Sequence, residues 1–123
     1  MPEINVFKHS REAFTIEAGH VLFSEGDPGD VMYAVVEGEV ELMRSGESLE
    51  VITPGGIFGE MALIDPAPRG AGATARTEAR VVPVDEAHFT YLVHEHPTFA
   101  LQVMRIMAER IRHGNERHEA APR

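Results

Sequence analysis

Residues 23–42 read FSEGDPGDVMYAVVEGEVEL, and this stretch decides the fold. Its centre, 31–36, is apolar almost throughout, which is typical of a strand buried on both faces. A segment dense in glycine, proline and aspartate, 24–30, precedes that strand, and a glycine-containing turn follows it at 37–38. Residues 39–43 then read close to a half-buried strand. The stretch therefore predicts two neighbouring strands joined by a tight turn.

Further short apolar runs lie on both sides of this pair of strands. Glycine and proline turns close them, for example at 45–47 and 53–56. The runs predict strands at 13–16, 21–23, 49–52, 75–79 and 81–84. Short strands at regular spacing with such turns are typical of a small antiparallel barrel or sandwich. We therefore expect a β-structure over about residues 12–84.

The composition becomes helical after these strands. Asp85 is a good N-cap, and 87–95 has helical composition. Pro97 suits the first turn of a second helix, which we expect over 98–117. The sequence thus predicts two helices over about residues 85–117.

The second helix carries apolar residues on two faces. We expect one face to lie on the barrel, and the other face to meet a second copy of the chain at near-heptad spacing. The residues of that second face are Phe99, Val103, Ile106 and Arg110. A single-sided surface helix is the alternative. The polar segment 116–123 is expected to be frayed, and the short mixed segment 1–10 is expected to be a partly ordered lead-in.

The composition limits the classes of function. At 123 residues the chain has room for one modest core, so we expect a single domain over 1–123. No apolar run reaches the roughly 18 residues that suggest a membrane-spanning helix, and 1–10 lacks the apolar region of a secretory signal. There is no cysteine, which excludes disulfides and thiolate sites and fits a cytoplasmic location. The net charge of −9 argues against a nucleic-acid-binding surface and against docking on an anionic membrane.

Residues 57–74 read IFGEMALIDPAPRGAGAT and combine groups that suit a sugar phosphate. Gly59 permits a tight turn and close approach of the backbone. The backbone N–H groups of 60–62 can form an anion nest. Arg69 supplies a planar fork of donors for phosphate oxygens, whereas Glu60 suits a sugar hydroxyl beside them. An ordinary turn followed by a surface charge is the alternative interpretation of these spacings.

Both stretches resemble the cyclic nucleotide-binding domain family. Residues 23–42 match the family pattern E-G-D-x-G-D-x-x-Y-x-[IV]-x-x-G-x-[VA]. The glycines at its turn positions are Gly26, Gly29 and Gly38. The run FGEMALI with Pro68-Arg69 resembles the family's phosphate-binding cassette. The resemblance covers about residues 12–117 and implies a mainly-β fold, an antiparallel jelly-roll β-barrel (double-stranded β-helix) with two C-terminal α-helices.

The resemblance also implies which residues bind a ligand, cAMP or cGMP. Glu60 would take the ribose 2′-hydroxyl and Arg69 the cyclic phosphate. The phosphate and ribose side of the expected site comprises Gly59, Glu60, Met61, Ala62, Arg69, Gly70 and Ala71. The side that lines the pocket and meets the base comprises Leu42, Leu49, Ile52, Arg110, Gly114 and Asn115. The apolar members of this set can equally belong to the core.

Three features depart from the family pattern. The glycine-rich run 69–74 is about two residues longer than in relatives, and a flexible exit would raise the entropy cost of ordering the cassette. Gly70 stands where a threonine goes with cGMP preference, which favours cAMP. Gly114 stands where relatives often have a hydroxyl residue, and a glycine there favours an end or a bend of the helix.

No arrangement of catalytic residues or metal ligands is visible. His94 and His96 stand at i and i+2 beside Pro97, where two histidines do not share a helix face, so a metal-dependent cupin enzyme is disfavoured. The sequence therefore predicts a regulatory module, not an enzyme, that binds a cyclic nucleotide and carries no metal or cofactor.

The expected output runs through another molecule. No helix-turn-helix segment follows residue 117, so we expect a homodimer through the C-terminal helix or an unidentified effector protein. The alternative is a degenerate barrel that no longer binds nucleotide and serves as an interaction or dimerisation domain.

Overall fold

A computed structural model describes the backbone over residues 4–65 and 67–120 and the side chains over 4–65 and 67–113. The strands are β1 (Phe14–Ile16), β2 (Val21–Phe23), β3 (Met32–Glu37), β4 (Val40–Arg44), β5 (Glu47–Ile52), β6 (Ile57–Phe58), β7 (Gly72–Ala75) and β8 (Ala79–Val84). The helices are α1 (Met61–Ile64), α2 (Glu86–Glu95) and α3 (Pro97–Ala120).

The strands form two antiparallel sheets. The first sheet has the order β1-β8-β3-β6, and the second sheet has the order β2-β7-β4-β5. This arrangement confirms the mainly-β fold with C-terminal helices that the sequence predicts. The two sheets are not closed into a barrel, so the expected jelly roll takes the form of two facing sheets.

Two apolar clusters lie on opposite faces of the first sheet. One cluster fills the space between the sheets and includes Val35, Phe58 and Val81. The other lies between the first sheet and the helices and includes Met32 and Val82. Strand β3 contributes to both clusters, which confirms the prediction that it is buried on two faces.

The predicted strand at 75–79 is wrong. In the structure β7 ends at Ala75 and β8 begins at Ala79. The residues between them form a turn that is bound to Glu39, directly before β4. The Arg76 N–H donates to the Glu39 carbonyl, and the Glu39 N–H donates to Thr77 Oγ1 at 3.1 Å. Periodicity did not find β6, since two residues are too few to show a period.

The two C-terminal helices begin where the sequence predicts. The Asp85 side chain accepts a hydrogen bond of 2.8 Å from the His88 N–H and caps α2, and Pro97 is the first residue of α3. Helix α3 continues through Gly114 to Ala120, so the expected helix end at Gly114 is wrong. Residues 121–123 lie outside the described residues.

The predicted faces of α3 are the wrong way round. Phe99, Val103 and Ile106 are 0–1% exposed and pack on the first sheet, so they do not form a surface for a second copy. The outer face of that sheet is apolar, so it is buried against this apolar face of the helix. The exposed apolar residues of α3 are instead Leu101, Met104 and Ile111.

The described part of the N-terminal segment, from Ile4 onward, contributes side chains to the core, which the sequence did not predict for this lead-in. Ile4 and Phe7 are buried. The Ile4 N–H donates to the Gly55 carbonyl at 2.8 Å, and the rings of Phe7 and Phe99 meet edge to face at 5.8 Å. Among the described residues, no helix is both long and apolar enough to cross a membrane.

Candidate ligand-binding site

A cavity of about 870 Å³ lies beside the segment between β6 and β7. It is bounded by that segment, by the hairpin of β4 and β5, and by α3 near Arg110. Most of the predicted site residues line it. These are Leu42, Leu49, Gly59, Glu60, Met61, Ala62, Arg69, Gly70, Ala71 and Arg110.

Three predicted residues lie elsewhere or outside the described side chains. Ile52 is 2% exposed in the core between the sheets, because it pairs with Val40 at the end of β5 away from the hairpin, so its predicted place in the pocket is wrong. Gly114 lies in α3 directly after His113, which lines the cavity. The side chain of Asn115 is outside the described residues.

Arg69 is the most enclosed cation of the cavity, with 8% of its surface exposed. Its Nη2 donates to the Val31 carbonyl at 2.8 Å and its Nη1 to the Gly59 carbonyl at 3.2 Å. The guanidinium carbon lies 4.1 Å from the centre of the Phe23 ring. The buried Nε has no hydrogen-bond partner among the described residues. An acceptor that reaches this nitrogen would therefore satisfy a buried donor.

Burial also weakens the charged form of this arginine. Loss of solvent lowers the pKa of the Arg69 guanidinium from its ordinary value, because burial penalises the cation. Nearby groups act in the opposite direction, with smaller effects, and they are Tyr33, Asp30, Glu60 and Asp27. A bound anion would reduce the penalty further, so the guanidinium is an electrostatically favourable place for a phosphate.

Two glycines make room for the Arg69 side chain. A Cβ atom on Gly29 would lie 2.2 Å from Arg69 Nε, and one on Gly59 would lie 2.7 Å from Nη1. Gly59 also has a φ of 76°, which side chains rarely adopt. The sequence assigned Gly29 to a turn, whereas its contact distance shows a second reason for glycine at this position.

The backbone joins the two sequence motifs at Arg69. The Gly26 N–H donates to the Arg69 carbonyl, and the Arg69 N–H donates to the Asp27 carbonyl, both at 2.7 Å. Residues 24–27 thus fix the backbone of Arg69 by hydrogen bonds, although 42 positions separate Asp27 from Arg69 in the sequence.

The predicted anion nest over 60–62 is only partly available. The Ala62 N–H donates to the Gly59 carbonyl at 3.2 Å, which closes the turn into α1. That N–H is engaged within the loop, so an anion would have to share it with the Gly59 carbonyl.

Glu60 is buried and already has a partner. It is 6% exposed, and its carboxylate accepts a charge-assisted hydrogen bond from Nη1 of Arg110 on α3. Arg110 also donates from Nε to Glu50 at 3.0 Å and from Nη2 to the Ile57 carbonyl. The predicted ribose acceptor and the predicted base-side residue therefore bind each other in this structure.

Several residues that line the cavity were not predicted from the sequence. They are Phe23, Arg44, Ser45, Glu47, Glu50, Asp65, Ala67 and His113, whereas Pro68, which also lines it, belongs to the predicted motif. Most of them lie at the β4–β5 hairpin or beside the cassette, where a turn or alternation pattern carries no sign of a ligand. Among the described residues, no group of three or more histidine, aspartate or glutamate side chains is placed to hold a metal ion.

The glycine-rich exit from the cassette is shorter than its sequence indicates. Gly72 is the first residue of β7 and pairs with Met43 of β4. The Gly70 carbonyl accepts a hydrogen bond of 2.9 Å from Arg44 Nε. The expected flexible exit is thus confined to Gly70 and Ala71.

Comparison with known proteins identifies relatives of this fold and site. The model of the cyclic nucleotide-binding domain matches residues 13–96. The chain is 34% identical over 102 residues to the CRP-like cAMP-activated global transcriptional regulator of Mycobacterium tuberculosis, a match that covers 79% of this chain and 46% of the relative. The chain thus spans about half the length of that curated relative.

Solved structures show the same similarity in three dimensions. The catabolite activator protein of Thermus thermophilus is 28% identical with a TM-score of 0.77, over 87% of this chain and 53% of the other. A protein from work on a cyclic-GMP-dependent signalling pathway that regulates bacterial phytopathogenesis is 28% identical with a TM-score of 0.73, over 87% of this chain and 90% of the other.

Proposed function

This chain belongs to the cyclic nucleotide-binding domain family, and we propose that it is a regulatory module that binds a cyclic nucleotide in the cavity beside Arg69. The observation that carries the proposal is the buried Nε of Arg69, which has no partner among the described residues and adjoins a cavity framed by the family's cassette. A cyclic phosphate supplies the acceptor and the negative charge that this group needs.

The ligand would be placed by the residues that line the cavity. Arg69 would bind the phosphate, with Gly59, Met61, Gly70 and Ala71 around it. Glu60 would accept the ribose 2′-hydroxyl, and for this its bond to Arg110 must loosen or be shared. Leu42 and Leu49 line the cavity, and the base would lie toward Arg110, Gly114 and Asn115.

We favour cAMP over cGMP as the ligand. The residue after Arg69 is Gly70, and a threonine at this position goes with cGMP preference in the family. Glycine offers no hydroxyl to a guanine base, so it removes a contact that would favour cGMP.

The output would be regulatory rather than catalytic. Helix α3 contacts the cavity through Arg110 and leaves Leu101, Met104 and Ile111 exposed on its outer side, where a second copy or an effector protein can bind. A cytoplasmic location and the absence of nucleic-acid and membrane partners belong to the same proposal, because the net charge is −9 and cysteine is absent.

A second candidate function is an interaction domain that no longer binds nucleotide. The hydrogen bonds that the site residues already make with one another favour this candidate. Arg110 donates to Glu60, and two backbone carbonyls accept hydrogen bonds from the terminal nitrogens of Arg69. A ligand must compete with these bonds.

Isothermal titration calorimetry with cAMP and with cGMP separates the two candidates. We expect micromolar or tighter cAMP binding, with Arg69→Ala and Glu60→Ala each weakening it by roughly 10- to 150-fold. Arg76→Ala, a change at a surface arginine outside the cavity, is the matched control and should bind as the wild type does. Wild-type protein that gives no heat and no thermal shift with millimolar cAMP or cGMP would overturn nucleotide binding and favour the interaction domain instead.

A further inference from the structure

We propose that Arg44 is a second anion-binding arginine of the cavity, positioned to bind the ligand's phosphate together with Arg69. The proposal rests on the proposed function, since it concerns how the same cavity holds its anion. Arg44 lies outside the cassette, at the end of β4, and reaches it from the β4–β5 hairpin.

The position of Arg44 is set by a contact with the cassette itself. Its Nε donates to the Gly70 carbonyl at 2.9 Å, and Gly70 directly follows Arg69 in the chain. Both residues line the cavity. A guanidinium held through Nε presents its two terminal nitrogens to other acceptors, so one arginine can fix the loop and bind an anion at the same time.

Arg44 differs from the other two arginines of the cavity in its free donors. Each of the three side-chain nitrogens of Arg110 donates a hydrogen bond, and the acceptors are Glu50, Glu60 and the Ile57 carbonyl. Both terminal nitrogens of Arg69 are engaged by backbone carbonyls. Among the described residues, neither terminal nitrogen of Arg44 forms a hydrogen bond or an ion pair. An anion can therefore recruit them without breaking a bond.

The chemistry of a cyclic phosphate calls for such a second group. The phosphodiester has two exocyclic oxygens that share one negative charge, and both terminal nitrogens of Arg69 already donate to backbone carbonyls while its Nε has no partner among the described residues. A second guanidinium would supply further donors and positive charge to these oxygens. Glu47 also lines the cavity and lies opposite Arg44 in the hairpin. Its negative charge makes the site less positive and so limits the contribution of Arg44 to anion binding.

The hairpin tip is fixed relative to Arg69 by a second connection. The Ser45 N–H donates to Glu25 at 3.0 Å. The next residue along the chain, Gly26, donates its N–H to the Arg69 carbonyl at 2.7 Å. Hydrogen bonds thus join the hairpin that carries Arg44 to the backbone of Arg69 through residues 25–26.

Calorimetric titration of the full chain with cAMP tests the proposal through Arg44→Gln and Arg44→Lys. We expect Arg44→Gln to weaken binding about 3- to 10-fold and to make the salt dependence of the dissociation constant shallower, because a charge near the phosphate is lost. Arg44→Lys keeps the charge and should lose less. Arg76→Gln is the control for a general loss of positive charge, and thermal unfolding checks that each variant is folded.

Each result has a single meaning. Arg44→Gln that binds cAMP as tightly as the wild type, while Arg69→Ala loses binding, overturns the role of Arg44 and leaves the proposed function intact. Equal losses in Arg44→Gln and Arg44→Lys with an unchanged salt dependence overturn anion binding, because only the bond to Gly70 then matters. Wild-type protein that binds no cyclic nucleotide overturns both proposals.

Discussion

Arg110 of helix α3 donates to the buried carboxylate of Glu60, fifty residues earlier in the sequence. The contact joins the last helix to the cassette. A ligand that binds the Glu60 carboxylate must therefore also affect the hydrogen bond by which Arg110 joins α3 to the cassette.

The first prediction concerns the stability that this contact provides. Arg110→Met removes the hydrogen-bonded counter-charge of Glu60, which is 6% exposed, so the free energy of unfolding should fall by about 3–5 kcal/mol. The double variant with Glu60→Gln should lose much less than the sum of the two single changes, because no buried charge remains unpaired. Urea denaturation of the four proteins measures this coupling. Additive losses would show that the contact does not stabilise the fold.

The second prediction concerns the space that glycine leaves for Arg69. Gly29→Ala places a Cβ 2.2 Å from Arg69 Nε, so it should lower stability by about 1–3 kcal/mol. In an Arg69→Ala background the clash is absent, and the same change should cost little. Gly19→Ala is the matched control, because its φ of 87° strains alanine and no atom lies within 4 Å of the added Cβ, so its cost should not depend on Arg69. Chemical denaturation supplies all the values. A Gly29→Ala cost that is equal in both backgrounds would contradict this explanation.

The third prediction distinguishes the two faces of α3. Phe99 is 1% exposed and Leu101 is 45% exposed. Phe99→Ala should lower the free energy of unfolding by about 3–5 kcal/mol, and Leu101→Ala by less than about 1 kcal/mol, because only the first opens a cavity in the core. Denaturation at low protein concentration keeps any self-association out of the comparison. The reverse order of the two costs would mean that the helix is turned the other way.

The fourth prediction concerns how nucleotide binding reaches α3. Saturating cAMP should slow amide hydrogen exchange both in 59–73 and in 104–115, because ligand, Glu60 and Arg110 form one connected set of contacts. A ligand can shift the helix only if it binds the two helix positions unequally. Protection confined to 59–73 would show that the helix does not respond, and that the output takes another route. Arg69→Ala, which should not bind, provides the unliganded control at the same cAMP concentration.

The sequence by itself determined the features that depend on local chemistry. The apolar run at 31–36 becomes a strand buried on both faces, and Asp85 caps α2. Most of the predicted site residues also come together, because the cassette motif is continuous in sequence and its turn glycine and arginine lie within eleven residues. Backbone conformation and short-range hydrogen bonds are set by neighbouring residues, so a linear pattern contains them.

Only the tertiary structure decided which distant groups meet. The sequence does not show that Glu60 pairs with Arg110, that Gly29 makes room for Arg69, or that Arg44 reaches Gly70. It also left open which face of α3 is buried, because both faces carry apolar residues. That choice depends on the apolar outer surface of the first sheet, and Phe99 fits it while Leu101 remains exposed. Contacts between remote segments follow from how complete elements pack, and that packing is a property of the folded chain as a whole.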